Sequence, residues 1–234
     1  MRVTDAKLAE IWDRGYTVVE NFIDPETLQA AREALWTIYP KPEDYFADPD
    51  KYPRFGKSQF SGIHLFPFPA WEITRLCVYP DLIDAAERFL GTAEIALYKG
   101  ALWAKYSGPI NYDQYPHPSS PAPPLVLPSH HCSSAKTTTF ILLSDVTDKD
   151  GPTKVVPLSE TRDTPIGQAQ TKFGTWFDKE VSIEGPAGSL MVYKTDVFHR
   201  GSNFTATNRS RFDVLTDFKT GAWRWQGKLA WSDE

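Results

Sequence analysis

Residues 189–219 read SLMVYKTDVFHRGSNFTATNRSRFDVLTDFK. Two runs in it, 190–195 and 211–219, are rich in β-branched, aromatic and other apolar residues. Between them lies a segment of Gly, Ser, Asn and Thr. This is the pattern of two short strands joined by a turn-rich connection. Runs of the same kind recur upstream: IALYKGALWAKY from Ile95, PLVLPS from Pro124, TTTFILLSDV from Thr137 and TKVVP from Thr153. Gly, Pro, Asp and Ser separate them, as in Asp150-Gly151-Pro152 and Gly185-Pro186-Ala187-Gly188. Many short strands with such turns predict an all-β body.

Toward the N-terminus the period changes. Thr4 can cap a helix carrying Leu8, Ile11 and Trp12 on one face, ended by Gly15. TVVENFI, from Thr17, reads as a short strand. Asp24-Pro25 then pairs a cap with proline at the first helical position, and Leu28, Ala31, Leu35 and Ile38 continue that helix until Pro40 and Pro42. Residues 41–69 read as loop. Two more helices are expected over 71–78 and 82–90, closed by Gly91. Helices followed by strands give an α+β, mainly β fold. We expect one domain, 1–234: a mostly helical buttress over 1–91, a β core over 92–220 and a C-terminal tail over 221–234.

Composition narrows the function. Lys+Arg is 25 and Asp+Glu is 30, a net charge of −5, so no basic surplus points to nucleic acid or an anionic membrane. Cys77 and Cys132 are two, with no CxxC, which excludes a disulfide scaffold and a cysteine-rich zinc site. The first residues, MRVTDAKLAEIWDRGY, lack the apolar core of a signal peptide, and no apolar run reaches membrane length. The expected location is therefore cytoplasmic and the partner a small-molecule substrate, with no nucleic acid and no membrane. The oligomeric state is left open. The sequons at Asn203 and Asn208 are read as chance.

Five histidines are few enough to weigh singly. His64, in SGIHLFPF, reads as a packed histidine. His130 and His131 are neighbours, which point to opposite faces of an extended chain, and read as solvated loop. His117 stands in a segment holding seven prolines between 109 and 128, read as a loop that becomes an edge strand near 125–127. His199 follows a strand. Ten and twelve residues beyond it come Arg209 and Arg211, whose spacing of two puts both on one face of a strand. A guanidinium there can reach back into the same cavity and hold a carboxylate bidentately. His117 and His199, from separate segments, are candidate metal ligands. An oxygen-activating iron site normally adds one carboxylate. Asp113 and Asp196 are near but off the expected spacing, while Ser119 has the spacing but is not a carboxylate.

At these residues the chain resembles the phytanoyl-CoA dioxygenase-like group of Fe(II)- and 2-oxoglutarate-dependent oxygenases. The likeness runs from GYTVVENFIDPETL through LYKGALWAKYSG, FILLSDVTDKDGPTKVVP and GPAGSLMVYKTDVFHRGSNFT to RSRF. It implies a double-stranded β-helix, a cupin-like jelly roll with N-terminal helices packed on one sheet. It implies His117 and His199 as metal ligands, and Arg209 or Arg211 as the grip on the distal carboxylate of 2-oxoglutarate. Ser202 and Thr139 are expected near that cosubstrate. The implied reaction is hydroxylation or a related C–H oxidation of a small organic substrate.

One departure stands out. The family pattern is His-x-Asp, and this chain has His117-Pro118-Ser119. A serine hydroxyl is a weak neutral ligand, so metal affinity should fall and a coordination position opens. Water can fill that position in an oxygenase. Chloride can fill it in a radical halogenase. The third outcome is a non-catalytic ligand-binding protein, with a pocket lined by Trp103 and Tyr106.

Overall fold

The computed structural model describes residues 2–58, 60–108, 114, 116, 136–161, 175–195 and 197–220. Thr4 accepts a hydrogen bond from the Lys7 amide at 3.3 Å and opens helix α1 (Asp5–Arg14). Gly15 closes it with a φ of 91°, a conformation glycine reaches without steric cost. The position is also crowded, since a Cβ would stand 2.4 Å from Val197 Cγ2. Strand β1 (Tyr16–Val19) follows. The Asp24 carboxylate accepts from the Thr27 amide at 2.8 Å and caps helix α2 (Pro25–Leu35), with proline in the first turn. Asp24→Ala is expected to lower stability by about 1 kcal/mol. A urea melt should show a shifted midpoint with an unchanged slope.

Residues 41–69 are more ordered than their composition predicts. They hold a short helix α3 (Pro42–Ala47) and a two-residue strand β2 (His64–Leu65). Pro42 presets the first helical turn, and Glu43 and Asp44 complement its positive end. Helix α4 (Trp71–Thr74) continues as a 3₁₀ turn through Arg75–Val78. Helix α5 (Pro80–Leu90) ends at Gly91, as expected. His64 packs edge-on against Tyr39, and burial holds its imidazole below the usual range, in keeping with a packed histidine. The expected edge strand near 125–127, and His130, His131 and Cys132, lie outside the described residues.

The β core comprises β3 (Ile95–Tyr106), β4 (Lys136–Leu142), β5 (Thr153–Val155), β6 (Val181–Ser182), β7 (Leu190–Lys194), β8 (His199–Gly201) and β9 (Ser210–Thr220). Strands β6 and β8 were not anticipated, because two or three residues are too few to show alternation. Among the described residues, six strands form one sheet in the order β1-β7-β4-β9-β3-β2, and three form another, β6-β5-β8. All the pairings are antiparallel.

Alternation along these strands sorts the side chains into two layers. Leu102, Ala104, Ile141, Val192, Phe212, Val214 and Phe218 face the helices and pack with Ile11, Leu35, Leu76, Leu82 and Phe89. Ala101, Phe140, Met191, Tyr193 and Leu215 face the other way and meet Val155 and Ile183 beside the smaller sheet. Each fully buried Leu, Phe or Ile contributes roughly 1.5–3 kcal/mol. The register extends the inner face: Trp103 lies opposite Asp213, Lys105 opposite Arg211 and Thr138 opposite Asp217. Polar groups on an inner face between two sheets are the unusual feature of this core.

Candidate active site

His199 begins β8 and turns inward, its ring centroid 4.7 Å from that of Tyr193 and the residue 8% exposed. Its Nδ1 lies 3.0 Å from the Val197 carbonyl. A carbonyl can only accept, so Nδ1 donates, and in the neutral imidazole that leaves Nε2 as the nitrogen able to bind a metal. This is how an outer partner orients a metal-binding imidazole. Two residues on, the Gly201 amide donates to Gln114 Oε1 at 2.9 Å, and the Gln114 amide donates to the Gly201 carbonyl at 3.3 Å. Pro116 is buried. His117, Ser119, Asp113 and Asp196 lie outside the described residues. Among the described residues no group of three His, Cys, Asp or Glu is placed to hold a metal.

The two arginines separate. Arg209 grips Asp150 with both nitrogens, Nε to Oδ1 at 2.7 Å and Nη2 to Oδ2 at 2.9 Å. Its side chain is 49% exposed, while the Asp150 side chain is fully buried and also accepts from Thr147. Arg209 therefore ties the Asp150-Gly151-Pro152 turn to the rim of the sheet. Arg211 enters the interior instead. It is buried, donates from Nε to Asp213 Oδ2 at 2.8 Å, and donates from Nη1 to the Gly151 carbonyl. With Asp213, Phe140, Leu142, Thr153 and Met191 it lines a small cavity of about 10 Å³, room for a single water.

Lys105, opposite Arg211, was not anticipated. It is buried, and its ammonium donates to the Ser202 carbonyl at 2.7 Å. The signal in the sequence was a lysine two residues beyond Trp103 and four beyond Ala101, on the inward phase of an apolar strand. Gly151 has a φ of 60°, and a Cβ there would meet Lys105 Nζ at 2.8 Å, so glycine lets the turn close over the lysine. Asp213 was missed as well. Burial raises its carboxyl pKa, against the opposing pull of Arg211 and Lys105. Its Oδ1 and the Trp103 indole nitrogen are buried without a hydrogen-bond partner among the described residues.

Two expectations, for Thr139 and Tyr106, need correction, and the one for Ser202 is made more specific. Thr139 is turned away from this interior: its hydroxyl meets the Thr216 hydroxyl on the helix side, and the inward hydroxyl on β4 is that of Thr138. Ser202 is at the cluster, but its Oγ donates to the Pro152 carbonyl at 2.7 Å, so it joins two loops. Tyr106 stands an odd number of residues from Trp103 and so faces the opposite side, where it packs on Tyr45, Phe55 and Phe212. Of the two aromatics, only Trp103 faces the interior.

Two antiparallel sheets with helices on one of them, and an inner face carrying a histidine and two buried cations, define a double-stranded β-helix of the cupin kind. Residues 12–212 match the family described as phytanoyl-CoA dioxygenase (PhyH), and the chain belongs to that family. The family is one of Fe(II)- and 2-oxoglutarate-dependent oxygenases acting on small molecules, which sets the class of the chain and its cofactors. No curated protein matches by sequence.

Solved structures agree on the fold. The non-heme alpha-ketoglutarate-dependent carbocyclase SnoK from nogalamycin biosynthesis superposes with a TM-score of 0.68 at 16% identity, over 93% of this chain and 84% of that one. HygX from Streptomyces hygroscopicus, with nickel and 2-oxoglutarate bound, gives 0.70 at 12% identity, over 96% and 91%. The epimerase SnoN, in complex with Fe3+, alpha-ketoglutarate and nogalamycin RO, gives 0.65 at 17%, over 92% and 83%. The halogenase and ligand-binding alternatives raised by Ser119 are not favoured by the family match. No helix among the described residues is long and apolar enough to cross a membrane.

Proposed function

We propose that this protein is a 2-oxoglutarate-dependent oxygenase that hydroxylates, or otherwise oxidises a C–H bond of, a small organic molecule. The observation that carries this reading is the pair of buried, inward-facing cations Arg211 and Lys105 on the inner layer that His199 also faces through Tyr193. Single-domain organisation, with residues 1–91 as buttress and 92–220 as catalytic core, is part of the same proposal.

The residues present supply the positive charge the cosubstrate needs, with Arg211 in this structure bonded to Asp213 and to the Gly151 carbonyl. Arg211 offers a rigid fork for a carboxylate and Lys105 a second positive charge beside it. Phe140, Leu142 and Met191 put apolar surface beside Arg211, which lowers the local dielectric and strengthens the attraction of the guanidinium for an acid. For Fe(II) the donor set is His199 and His117. Gln114, three residues before His117, is bonded to Gly201 beside His199, which supports their convergence. Ser119 stands where the family pattern has its carboxylate, and water would complete that position. When bound, Fe(II) and 2-oxoglutarate supply oxygen activation with release of succinate and CO2. The chain's part is to hold the acid, orient the imidazole and shield the pocket with Trp103, Phe140 and Tyr193. The small substrate enters between the sheets, and the net charge of −5 disfavours nucleic acid as its source.

Anaerobic titration of Fe(II) in the presence of 2-oxoglutarate tests this. A weak visible charge-transfer band is expected, and its absence sinks the proposal. Ser119→Asp is expected to tighten Fe(II) binding by at least roughly tenfold, since even outer partners of a metal site change affinity by that much. An unchanged affinity would mean that the pocket is not a two-histidine, one-carboxylate site.

A further inference from the structure

Exposed apolar side chains gather at the β2 edge of the larger sheet. Leu65, on β2, is 63% exposed, and Trp71, at the start of α4, is 66% exposed. Phe66 and Val78 are exposed as well. A Cβ on Gly100 would stand 2.7 Å from Phe66 Cβ and 3.3 Å from Cys77 Sγ, so Phe66 and the end of the 3₁₀ turn that carries Val78 meet over β3. The Thr74 hydroxyl donates to the Phe68 carbonyl at 3.1 Å and accepts from the Phe68 amide at 3.0 Å, which holds residues 66–68 against α4. Large apolar side chains grouped in this way mark a contact surface, whereas scattered ones do not. β2 is also the last strand of its sheet among the described residues, and folded proteins cover such edges.

A segment able to cover the patch follows β9. Residues 221–234, GAWRWQGKLAWSDE, lie outside the described residues. Trp223 and Trp225 are spaced by two, so an extended backbone would turn both to one face and Arg224 to the other. β9 ends at Thr220, opposite Ile95, and Gly100 stands further along β3. The strand between Ile95 and Gly100 is about 17 Å long. The residues after β9 can span roughly 46 Å when extended, which is ample. Tethering also gives an effective concentration in the millimolar range, which a free partner lacks. Arg224 and Lys228 bring positive charge to a patch that holds the exposed Glu72 beside Trp71.

We propose that residues 221–234 fold back past the end of β3 and lay Trp223 and Trp225 on the patch of Leu65, Phe66, Trp71 and Val78. The contact covers the β2 edge and ties the end of β9 to it. It also steadies the inner layer, because the chain entering β2 carries Ile63 against the inward residues and Phe60 edge-on to Trp103, with ring centroids 5.6 Å apart. It needs neither iron nor 2-oxoglutarate, so it stands or falls apart from the reaction proposed above.

Substitutions in the full chain test this. A single exposed substitution ordinarily moves the melting temperature by less than about 2 °C. Trp223→Ser with Trp225→Ser should instead lower it by about 4 °C, and Trp71→Ser by about as much. All three together should lower it no further than either set alone, because each set breaks the same contact. Hydrogen exchange across residues 64–78 should quicken by about tenfold in each variant. Additive shifts, or shifts under about 2 °C with exchange unchanged, overturn the proposal. Sedimentation of the wild type should show a monomer. A dimer that Trp71→Ser dissociates would seat a second copy on the patch and overturn the proposal as well.

Discussion

Arg211→Gln is expected to weaken 2-oxoglutarate binding by about 100-fold, whereas Arg209→Gln should change it by no more than a few-fold. The two arginines are two residues apart and begin on the same phase of the strand, yet their surroundings differ. Arg211 is buried on the inner face and lines the cavity. Truncating a desolvated charged partner of a carboxylate typically costs about 2–5 kcal/mol, and 100-fold falls in that range. Arg209 is half exposed and is used up on Asp150, whose side chain is fully buried. Its loss leaves a buried carboxylate short of its counter-charge, so the Arg209 variant should melt earlier while binding the acid nearly as well. Titration of each variant with 2-oxoglutarate, beside a thermal melt, separates the two roles. The opposite pattern would exchange their assignments. Arg211→Lys adds a useful intermediate, because a point charge keeps the attraction and loses the planar fork.

The second large effect lies on the outer face of the smaller sheet. Arg200, next to His199 but pointing away from it, binds Glu180 through two parallel contacts of 2.7 Å. The two side chains are 5% and 2% exposed, and the Arg200 guanidinium also lies 4.9 Å from the Phe177 ring centroid. Nearby, Trp176 packs on Phe198 with ring centroids 4.6 Å apart. The segment 175–180 is thereby fastened over β8. Glu180→Ala takes the bidentate carboxylate away from a buried guanidinium, which costs about 3–5 kcal/mol. For a chain of this size the melting temperature should fall by about 10 °C. A melt unchanged within a degree or two would show that the pair is not closed in solution. Replacing both partners by an apolar pair should recover much of the loss, since breaking half of a buried pair costs more than removing the whole of it.

Much of the fold was legible because it depends on local rules. The caps at Thr4 and Asp24, the stop at Gly91 and the longer strands follow from residue type and period, and each formed where those rules put it. The short strands β6 and β8 were not legible, since two or three residues carry no period; partners across the sheet created them. The site was legible in a similar, partial way. The odd numbering of Arg209 and Arg211 placed both on one side of a strand. It did not say that Asp150 would retain the first and leave the second to the interior. Thr139 was assigned to the wrong face because the phase of β4 relative to the core is set by register, and a shift of one residue exchanges the faces. The pairing of Phe140 with Leu215 and Met191 fixes that phase.

By itself, then, the sequence determined the class: helices before strands, a scarcity of histidine that left His117 and His199, and a motif order specific enough to name the family. Those features are written in single residues and their spacing. What only the tertiary structure decided is the interior polarity. Lys105, Arg211 and Asp213 come from two strands and meet because β3 and β9 pair in one register, Lys105 to Arg211 and Trp103 to Asp213. A charged residue's cost or use depends on whether water reaches it, and burial is a property of the packed sheets, not of the string of residues.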